Sequence, residues 1–393
     1  MSRAASPPSG LPPLDAESAA HARTVRDHLA REIAEAENGF MPFEQWMQLA
    51  LYAPGLGYYA AGNTKFGADL PSGDFTTAPE LTPLFGQTLA RQAAQILALS
   101  GGDAILEFGA GSGALAASIL PALAGMGVFP RYLILEVSAD LRARQQERLA
   151  DHRDRVTWLD ALPEDFSGCI LANEVLDAMP ATLFQWDEAG RLRELGVRLE
   201  GPDFAWAERP APAGLASIVA QRMPPLPGYR SEINLRAEAW LRQMGGWLRK
   251  GAALLIDYGF PRAEYYHPQR AEGTLMCHFR HHAHADALAH PGLQDITAHV
   301  DFTAMADAAL EGGLDVLGYA SQARFLMNAG LPELLMACAG NGAGTAAAGR
   351  AMSAAQKLLS EAEMGELFKV LAVGRGIDAP LMGFTRGDRR GRL

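Results

Sequence analysis

A strand, a glycine-rich loop and a helix in direct succession limit what this chain can fold into. Residues 104–113 read AILEFGAGSG, an apolar run with Glu107 near its end, followed by glycines at alternate positions, Gly109, Gly111 and Gly113. Glycine lets the backbone approach a ligand closely, and the helix that follows offers unpaired N–H groups to an anionic group. The segment therefore predicts a nucleotide-type cofactor site at the end of a parallel strand.

The order of the glycines separates two kinds of cofactor. Dinucleotide-binding folds use GxGxxG, whereas ExGxGxG favours S-adenosylmethionine (SAM), whose product is S-adenosylhomocysteine. Glu136 ends the next apolar run, YLILE, about 25 residues after Gly111, where a carboxylate accepts both ribose hydroxyls in either fold. On Glu136 alone, an NAD(P)-dependent oxidoreductase stays open as the alternative.

Two further segments place acids at the predicted carboxyl edge of the sheet. Asp160 closes VTWLD, where it could meet an adenine amino group with Trp158 or Ala161 nearby, although capping a helix is equally open. The segment NEVLDAMP begins at Asn173, follows the fourth strand, and holds Glu174 and Asp177. Because open α/β sheets place active sites at this edge, we expect a catalytic loop here, with Asp177 as a helix cap the alternative.

Alternating apolar runs and helical patterns predict the fold class. Strands are expected near residues 104, 132, 156, 169, 253, 315 and 369, in an α/β, Rossmann-like arrangement with a seven-stranded, mostly parallel sheet and one antiparallel strand. An N-terminal helical cover and an inserted lobe are expected around this sheet. In chain order the expected parts are a disordered leader (1–20), N-terminal helices with a substrate or cofactor loop (21–100), the SAM-binding core (101–180), an inserted hairpin and helix (181–250), the rest of the core (251–376) with an inserted segment (260–303), and a C-terminal tail (377–393).

Composition speaks against several classes of partner. A net charge of −11 over 393 residues argues against a nucleic-acid partner, and the basic run Arg386–Arg392 is expected to be a solvated tail. The cysteines Cys169, Cys277 and Cys338 lie far apart and include no CxxC pair, which speaks against a disulfide framework. With no export signal and no long apolar run in the sequence, we expect no membrane span and a cytoplasmic location.

A group of histidines raises the question of a metal site. We expect no metal, because neither a cysteine cluster nor an acidic box accompanies the group. His299 is expected to matter in another way, as a hydrogen-bonding wall of a substrate pocket or as the partner of Asp301. The histidines of the group are His278, His281, His282, His284 and His290.

Further motifs accompany the two loops already described. They are LEV (135–137), IDYG (256–259), GTL (273–275) and QDITAHVDF (294–302), and in an earlier loop GYY (57–59), GDFTT (73–77) and PEL (79–81). Together with FGAGSG (108–113) and NEVLDAMP (173–180), they resemble the MidA family, which comprises the mitochondrial complex I assembly-factor arginine methyltransferases and their bacterial relatives. The resemblance covers residues 40–376.

The resemblance implies a class I SAM-dependent methyltransferase that places symmetric methyl groups on an arginine of a 49 kDa-type subunit of respiratory complex I. A guanidinium is planar, delocalised and always charged, so carboxylates must grip it and localise electron density on the attacking nitrogen. Glu174 is the first choice for this role, and the secondary candidates are Asp177, Glu80 and Glu232. Familiar arginine methyltransferases use two glutamates in one loop, whereas this loop holds one.

Two sets of site residues follow from these patterns. The residues expected to act on the substrate are Glu174, Asp177, Asn173, Glu80 and His299. The residues expected to hold the cofactor are Glu107, Gly109, Ala110, Gly111, Ser112, Gly113, Glu136, Val137, Asp160, Ala161, Asn173, Thr77 and Pro79. A SAM-binding assembly factor without turnover and a small-molecule methyltransferase stay open as rival functions.

Overall fold

The computed structural model describes residues 10–61, 77–342 and 346–393 of the chain. Residues 73–76 of the motif GDFTT lie outside the described residues. The contacts divide the chain into two compact units. The core unit comprises the described residues within 76–176, 238–261 and 300–393, and the insert unit comprises the described residues within 1–75, 177–237 and 262–299.

Thirteen α-helices occur among the described residues. In chain order they are α1 (Ala16–Glu35), α2 (Phe43–Tyr52), α3 (Ala78–Leu81), α4 (Pro83–Ser100), α5 (Ala114–Gly125), α6 (Ala139–Arg148), α7 (Ala213–Arg222), α8 (Leu235–Trp247), α9 (Arg262–Tyr265), α10 (Phe302–Glu311), α11 (Gln322–Asn328), α12 (Leu331–Gly342) and α13 (Ala346–Leu359). None of the helices in these described ranges is both long and apolar enough to cross a membrane.

Sixteen β-strands occur in the same described ranges. They are β1 (Met41–Pro42), β2 (Ala104–Phe108), β3 (Arg131–Leu135), β4 (Val156–Leu159), β5 (Phe166–Asn173), β6 (Thr182–Trp186), β7 (Leu192–Glu200), β8 (Asp203–Pro210), β9 (Arg230–Ile233), β10 (Leu248–Phe260), β11 (Met276–Phe279), β12 (His282–His284), β13 (Asp295–Thr297), β14 (Val300–Asp301), β15 (Asp315–Ser321) and β16 (Phe368–Arg375).

The core unit is built on the sheet that the sequence predicts. Its strands run in the order β15-β16-β10-β5-β2-β3-β4, with the short β14 paired to β10. Strand β16 is antiparallel to both β10 and β15, and the pairs from β10 to β4 are parallel. The predicted fold class is therefore confirmed, including all seven strands and the single antiparallel one. Every residue of β2 is buried, as expected for a central strand covered on both faces.

The order of the sheet brings four strand ends together. Strands β5, β2, β3 and β4 are parallel neighbours, so their carboxyl ends lie at one edge. The glycine loop follows β2, and Glu136, Asp160 and Glu174 follow β3, β4 and β5. This edge is the place where open α/β sheets bind ligands.

The insert unit gathers three separate stretches of the chain around small antiparallel sheets. The predicted hairpin forms from β6 and β7, and β7 also pairs with β8 and β1. Buried apolar residues of α1 and α2 pack against this sheet, among them Leu29 and Trp46. A second sheet has the order β12-β11-β13.

The expectation that residues 1–20 form a disordered leader is wrong for its last part, because α1 begins at Ala16. The carboxylate of Asp15 accepts a hydrogen bond of 2.8 Å from the backbone N–H of Ser18 and caps the helix. Arg280 pairs with the same carboxylate at 2.5 Å, and these donors hold the pKa of Asp15 well below its ordinary value. Local capping and a distant arginine thus order a segment that composition alone presents as leader.

The expectation of a solvated C-terminal tail is only partly right, because Arg386, Arg390 and Arg392 are exposed but the segment as a whole is docked on the core unit. Leu381 and Phe384 are buried in the core unit. The backbone N–H of Arg389 donates to the carbonyl of Tyr319 at 2.6 Å, and Arg390 donates to the carbonyl of Val316 at 3.0 Å. The tail therefore lies against β15, where it covers the outer strand of the sheet.

Candidate active site

The glycine loop after β2 requires glycine at three positions. Gly109, Gly111 and Gly113 have φ values of 59°, 54° and 81°, in the left-handed region that other residues enter only at a cost. A Cβ on Gly109 would lie 3.2 Å from a methyl group of Val175. Gly113 caps α5 without any side-chain hydrogen bond, so the first N–H groups of that helix are oriented toward the loop. The loop is therefore shaped to receive an anionic group at the start of α5.

Glu107 lies beneath this loop as a buried carboxyl group. The hydroxyl of Tyr132 on β3 donates to Glu107 at 2.6 Å. Burial, reinforced by the nearby charge of Glu136, raises the pKa of Glu107 to about 7 despite that hydrogen bond. The group is thus poised between its neutral and charged forms at physiological pH.

Glu136 lies directly after β3, beside the glycine loop. Its carboxylate accepts from the backbone N–H of Ser138 at 2.9 Å and from the side-chain amide of Gln145 at 3.0 Å. Burial raises the pKa of Glu136, and the hydrogen bonds counteract part of that rise. The carboxylate is held in position and can accept the hydroxyls of a ribose.

The other predicted cofactor residues after β3 and β4 are more open to solvent. Val137 is 75% exposed, and Ala161 is exposed as well. Asp160 pairs with Arg142 of α6 at 2.5 Å. Residues 160–165 form no helix, so the alternative in which Asp160 caps a helix is wrong.

Glu80 meets the glycine loop through Ser112 and Arg148. Its carboxylate accepts from the hydroxyl of Ser112 and pairs with Arg148 at 3.0 Å. Arg148 also donates to the hydroxyl of Ser112 at 2.5 Å. Thr77 and Pro79, at the start of α3, belong to the same part of the core unit. Glu80 is therefore engaged with the loop itself.

The backbone of Glu174 is unusual for its residue type. Its φ is 54°, a left-handed conformation that costs a non-glycine residue about 1 kcal/mol or more. Its N–H donates to the carbonyl of Ile256 at 2.9 Å, which ties this turn to β10. The side-chain amide of Asn173 donates to the Glu174 carboxylate at 2.9 Å, while Asn173 Oδ1 is buried with no hydrogen-bond partner among the described residues. The strained turn presents an acid and an available acceptor together.

Asp177, His299 and Glu232 belong to the insert unit, unlike Glu174. Asp177 is buried, and its carbonyl accepts from Ala298 at 3.0 Å. No helix follows it before β6, so the helix-cap alternative for Asp177 is wrong. The N–H of His299 donates to the hydroxyl of Thr274 at 3.0 Å.

The carboxylate of Glu232 is enclosed within the insert unit. It accepts from the backbone N–H of Thr274 at 2.9 Å and of Leu275 at 3.1 Å, and from the hydroxyl of Tyr265 at 3.3 Å. A Cβ on Gly273, whose φ is 77°, would lie 2.2 Å from this carboxylate. The GTL motif therefore wraps a buried carboxylate, and Glu232 has a structural role there.

The histidine group lies in and around β11 and β12. Burial lowers the pKa of His278 to about 4 and also lowers the pKa of His284 and His290. Burial therefore favours the neutral form of these three imidazoles. Across the part of the chain that the structure describes, no three His, Cys, Asp or Glu side chains are grouped as metal ligands.

Two residues of the site escaped the sequence analysis. Asp257, at the end of β10, is buried and accepts from the N–H of Leu176 at 3.0 Å, which fixes the chain after Glu174. This residue belongs to the IDYG motif, which contributed to the family resemblance but suggested no role for the acid. Gln145 is fully buried on α6 and touches both Glu136 and the glycine loop. Nothing local marks it among the charged residues of that helix.

A family described as "Putative S-adenosyl-L-methionine-dependent methyltransferase" matches residues 88–320, more than half of the chain. The chain belongs to this family. A protein of Burkholderia thailandensis, whose crystal structure was solved bound to S-adenosyl-homocysteine, is 47% identical to it with a TM-score of 0.90. That match covers 98% of this chain and 100% of the other. The predicted family, the class of SAM-dependent methyltransferase and the SAM cofactor are confirmed, which removes the oxidoreductase alternative.

Curated relatives extend the comparison to animals. The protein arginine methyltransferase NDUFAF7, mitochondrial, of Danio rerio is 28% identical over 89% of this chain and 87% of its own length. The Drosophila melanogaster homolog is 26% identical over 94% of this chain and 91% of its own. Both are named as mitochondrial, so the predicted cytoplasmic location is contradicted. Scattered cysteines argue against a disulfide framework, but they do not distinguish between compartments.

Proposed function

We propose that this methyltransferase is a protein arginine N-methyltransferase, with Glu174 holding the guanidinium of the acceptor. The observation that carries the proposal is the left-handed turn at Glu174, which follows β5 at the ligand-binding edge of the sheet. Strain of this kind persists where the surrounding structure maintains it, and it clusters at active sites. The arginine methyltransferase names of the curated relatives support the same substrate class.

The described residues offer a donor and acceptor set that fits SAM. We assign the ribose hydroxyls to Glu136 and the cofactor carboxylate to the N–H groups at the start of α5. The buried Oδ1 of Asn173 is an acceptor suited to the cofactor's ammonium group. Asp160 and Ala161 remain the candidates for the adenine.

Methyl transfer requires the attacking nitrogen to be aligned with the methyl group and the charges around it to be held in place. When bound, SAM supplies a methyl group from its sulfonium, and the sulfur keeps the electron pair of the broken S–C bond. An arginine nitrogen forms the new N–C bond and gives up a proton to solvent, so the product guanidinium keeps its single positive charge. Glu174 is placed to accept guanidinium N–H groups, which orients the nitrogen and concentrates electron density on it. Asn173 holds the carboxylate of Glu174 in position.

We further propose symmetric dimethylation of a 49 kDa-type subunit of respiratory complex I as the finer activity. It rests on the MidA-type motifs, above all NEVLDAMP and GTL. The formal charge of −11 is compatible with an acceptor segment rich in arginine. Within the core unit, Glu80 remains a candidate for assisting Glu174.

The test is transfer of labelled methyl groups into an extract that lacks the native gene product. Wild-type protein, Glu174→Gln and the exposed-site control Glu147→Gln are each incubated with methyl-labelled SAM, and protein and small-molecule fractions are counted separately. We expect label in protein with wild type and Glu147→Gln, and almost none with Glu174→Gln. Label only in small molecules, or full transfer by Glu174→Gln, would overturn the proposal.

A further inference from the structure

Gln145 connects three parts of the proposed cofactor site. It lies on α6, with none of its surface exposed. Its amide nitrogen donates to the carbonyl of Gly111 at 2.8 Å and to the carboxylate of Glu136 at 3.0 Å. Its amide oxygen accepts from the indole N–H of Trp158 on β4 at 2.9 Å. One side chain thus joins the loop after β2, the acid after β3 and a residue of β4.

Only an amide satisfies all three partners. The indole of Trp158 is a donor only, so the oxygen of Gln145 must face it and the NH₂ group must face the two acceptors. A carboxylate would place a second negative charge beside Glu136. An aliphatic side chain would leave the carbonyl of Gly111 and the indole N–H without these bonds.

Helix α6 and the glycine loop are direct neighbours at Gln145. A Cβ on Gly113 would lie 3.5 Å from both the Cα and the Cγ of Gln145, which is an ordinary van der Waals contact. A buried, fully bonded side chain at such a contact has one preferred conformation and transmits it to its neighbours.

We infer that Gln145 is a positioning residue of the cofactor site, which holds the carbonyl of Gly111 and the carboxylate of Glu136 in the arrangement that binds SAM. The inference rests on the proposed assignment of Glu136 and the glycine loop to the cofactor, and it is independent of the acceptor. Groups that are already in place need not be ordered when the ligand binds, which strengthens binding. Gln145 itself touches neither substrate nor cofactor in this role.

Charged groups on the elements around Gln145 already have interaction partners of their own. Glu136 is the acid that Gln145 contacts. Glu107 is the next acid, and its pKa is raised mainly by burial, with the charge of Glu136 adding to the rise. On α6, Arg142 pairs with Asp160, and Arg148 pairs with Glu80 of α3. A new acid at position 145 would therefore interact mainly with Glu136.

The test compares dissociation constants for S-adenosylhomocysteine, measured by calorimetry between pH 5.5 and pH 8. Gln145→Leu should weaken binding on the order of tenfold at every pH, because it removes one charge-assisted and two neutral hydrogen bonds. Gln145→Glu should bind as weakly at pH 8 and recover toward wild type at pH 5.5, because a protonated carboxyl group can again donate to Glu136. Gln146→Glu, on the exposed side of the same helix, is the control and should match wild type.

Two further variants, Trp158→Phe and Glu136→Ala, test the inference even if Gln145→Leu does not fold. Trp158→Phe removes only the bond that orients the amide, and should weaken binding by a few-fold even if Gln145→Leu does not fold. Unchanged affinity in Gln145→Glu and Trp158→Phe, or a loss of affinity in Gln145→Glu that is independent of pH, would overturn the inference.

Glu136→Ala separates this inference from the proposed cofactor assignment. If it loses binding while the Gln145 variants keep it, only the inference fails, and if it binds like wild type, the cofactor assignment fails as well.

Discussion

Glu174 in the core unit and Glu232 in the insert unit are both acids close to the end of a strand, yet their surroundings differ. Glu232 is fully buried, and backbone N–H groups of Thr274 and Leu275 together with hydroxyl groups occupy its oxygens. Glu174 is partly exposed, sits on a left-handed backbone, and receives an amide hydrogen bond from Asn173.

These surroundings distinguish a carboxylate that is suited to bind a ligand from one that holds the fold together. Burial raises the pKa of Glu232, which viewed alone resembles the perturbed group of an active site. Its hydrogen bonds show that the same burial serves to join β9 to the GTL segment. A strained backbone with a partly exposed acid at the ligand-binding edge is the stronger indication of function.

The largest expected effect is on catalysis by Glu174→Gln. The amide keeps the size of the side chain but loses the charge that grips the guanidinium. We expect the rate of methyl transfer to fall by about 100- to 1000-fold, with the dissociation constant for S-adenosylhomocysteine within about twofold of wild type. Single-turnover assays and calorimetry measure the two quantities. Equal losses of rate and cofactor affinity would assign Glu174 to the cofactor instead.

The next effect is on stability, at Glu232. Replacing Glu232 by Met leaves the N–H groups of Thr274 and Leu275 buried without their acceptor, and we expect unfolding to be easier by about 3 kcal/mol. Glu232→Gln is the matched control, because its oxygen can accept from these N–H groups while nearby hydroxyls accept from its NH₂. Chemical denaturation measures both. A stable Glu232→Met variant that has lost methyl transfer would move Glu232 into the active site.

Glu107 offers an intermediate case, a buried acid with a single side-chain hydrogen bond. Because burial raises its pKa to about 7, the folded protein keeps a proton that the unfolded chain releases, so stability falls as pH rises toward 8. The stability of Glu107→Gln does not fall in this way as the pH rises, and its amide oxygen can still accept from the hydroxyl of Tyr132. We expect the variant to gain on the order of 2 kcal/mol over wild type between pH 5 and pH 8. Parallel stability curves for the two proteins would contradict the raised pKa.

The smallest effect concerns the strain at Glu174. Glycine adopts the left-handed conformation without steric cost, so Glu174→Gly should raise stability by about 0.5–1 kcal/mol while methyl transfer is lost. Glu174→Ala loses transfer as well but keeps the strain, and it should show no such gain. Thermal unfolding of the three proteins measures the difference. Identical gains for Gly and Ala would mean that the backbone carries no strain.

The sequence predicted the core sheet well because its signals are local. The apolar runs at β2, β3, β4 and β5 are nearly continuous, and the glycines of the loop are required by their own φ values. The docked tail escaped because β15 fixes it from a distant part of the chain. The start of α1 escaped because Arg280, also distant, adds to the local cap at Asp15. The enclosure of Glu232 and the contacts of Gln145 escaped for the same reason, since each depends on partners that only the folded chain brings together.

The central claim is that Glu174 serves methyl transfer to an arginine. Mass spectrometry of the acceptor protein, isolated after reaction with wild type and with Glu174→Gln in parallel, tests it most directly. We expect methyl groups on the terminal nitrogens of an arginine with wild type, and an unmodified arginine with Glu174→Gln. Methyl groups on another residue type, or on the same arginine in both reactions, would contradict it.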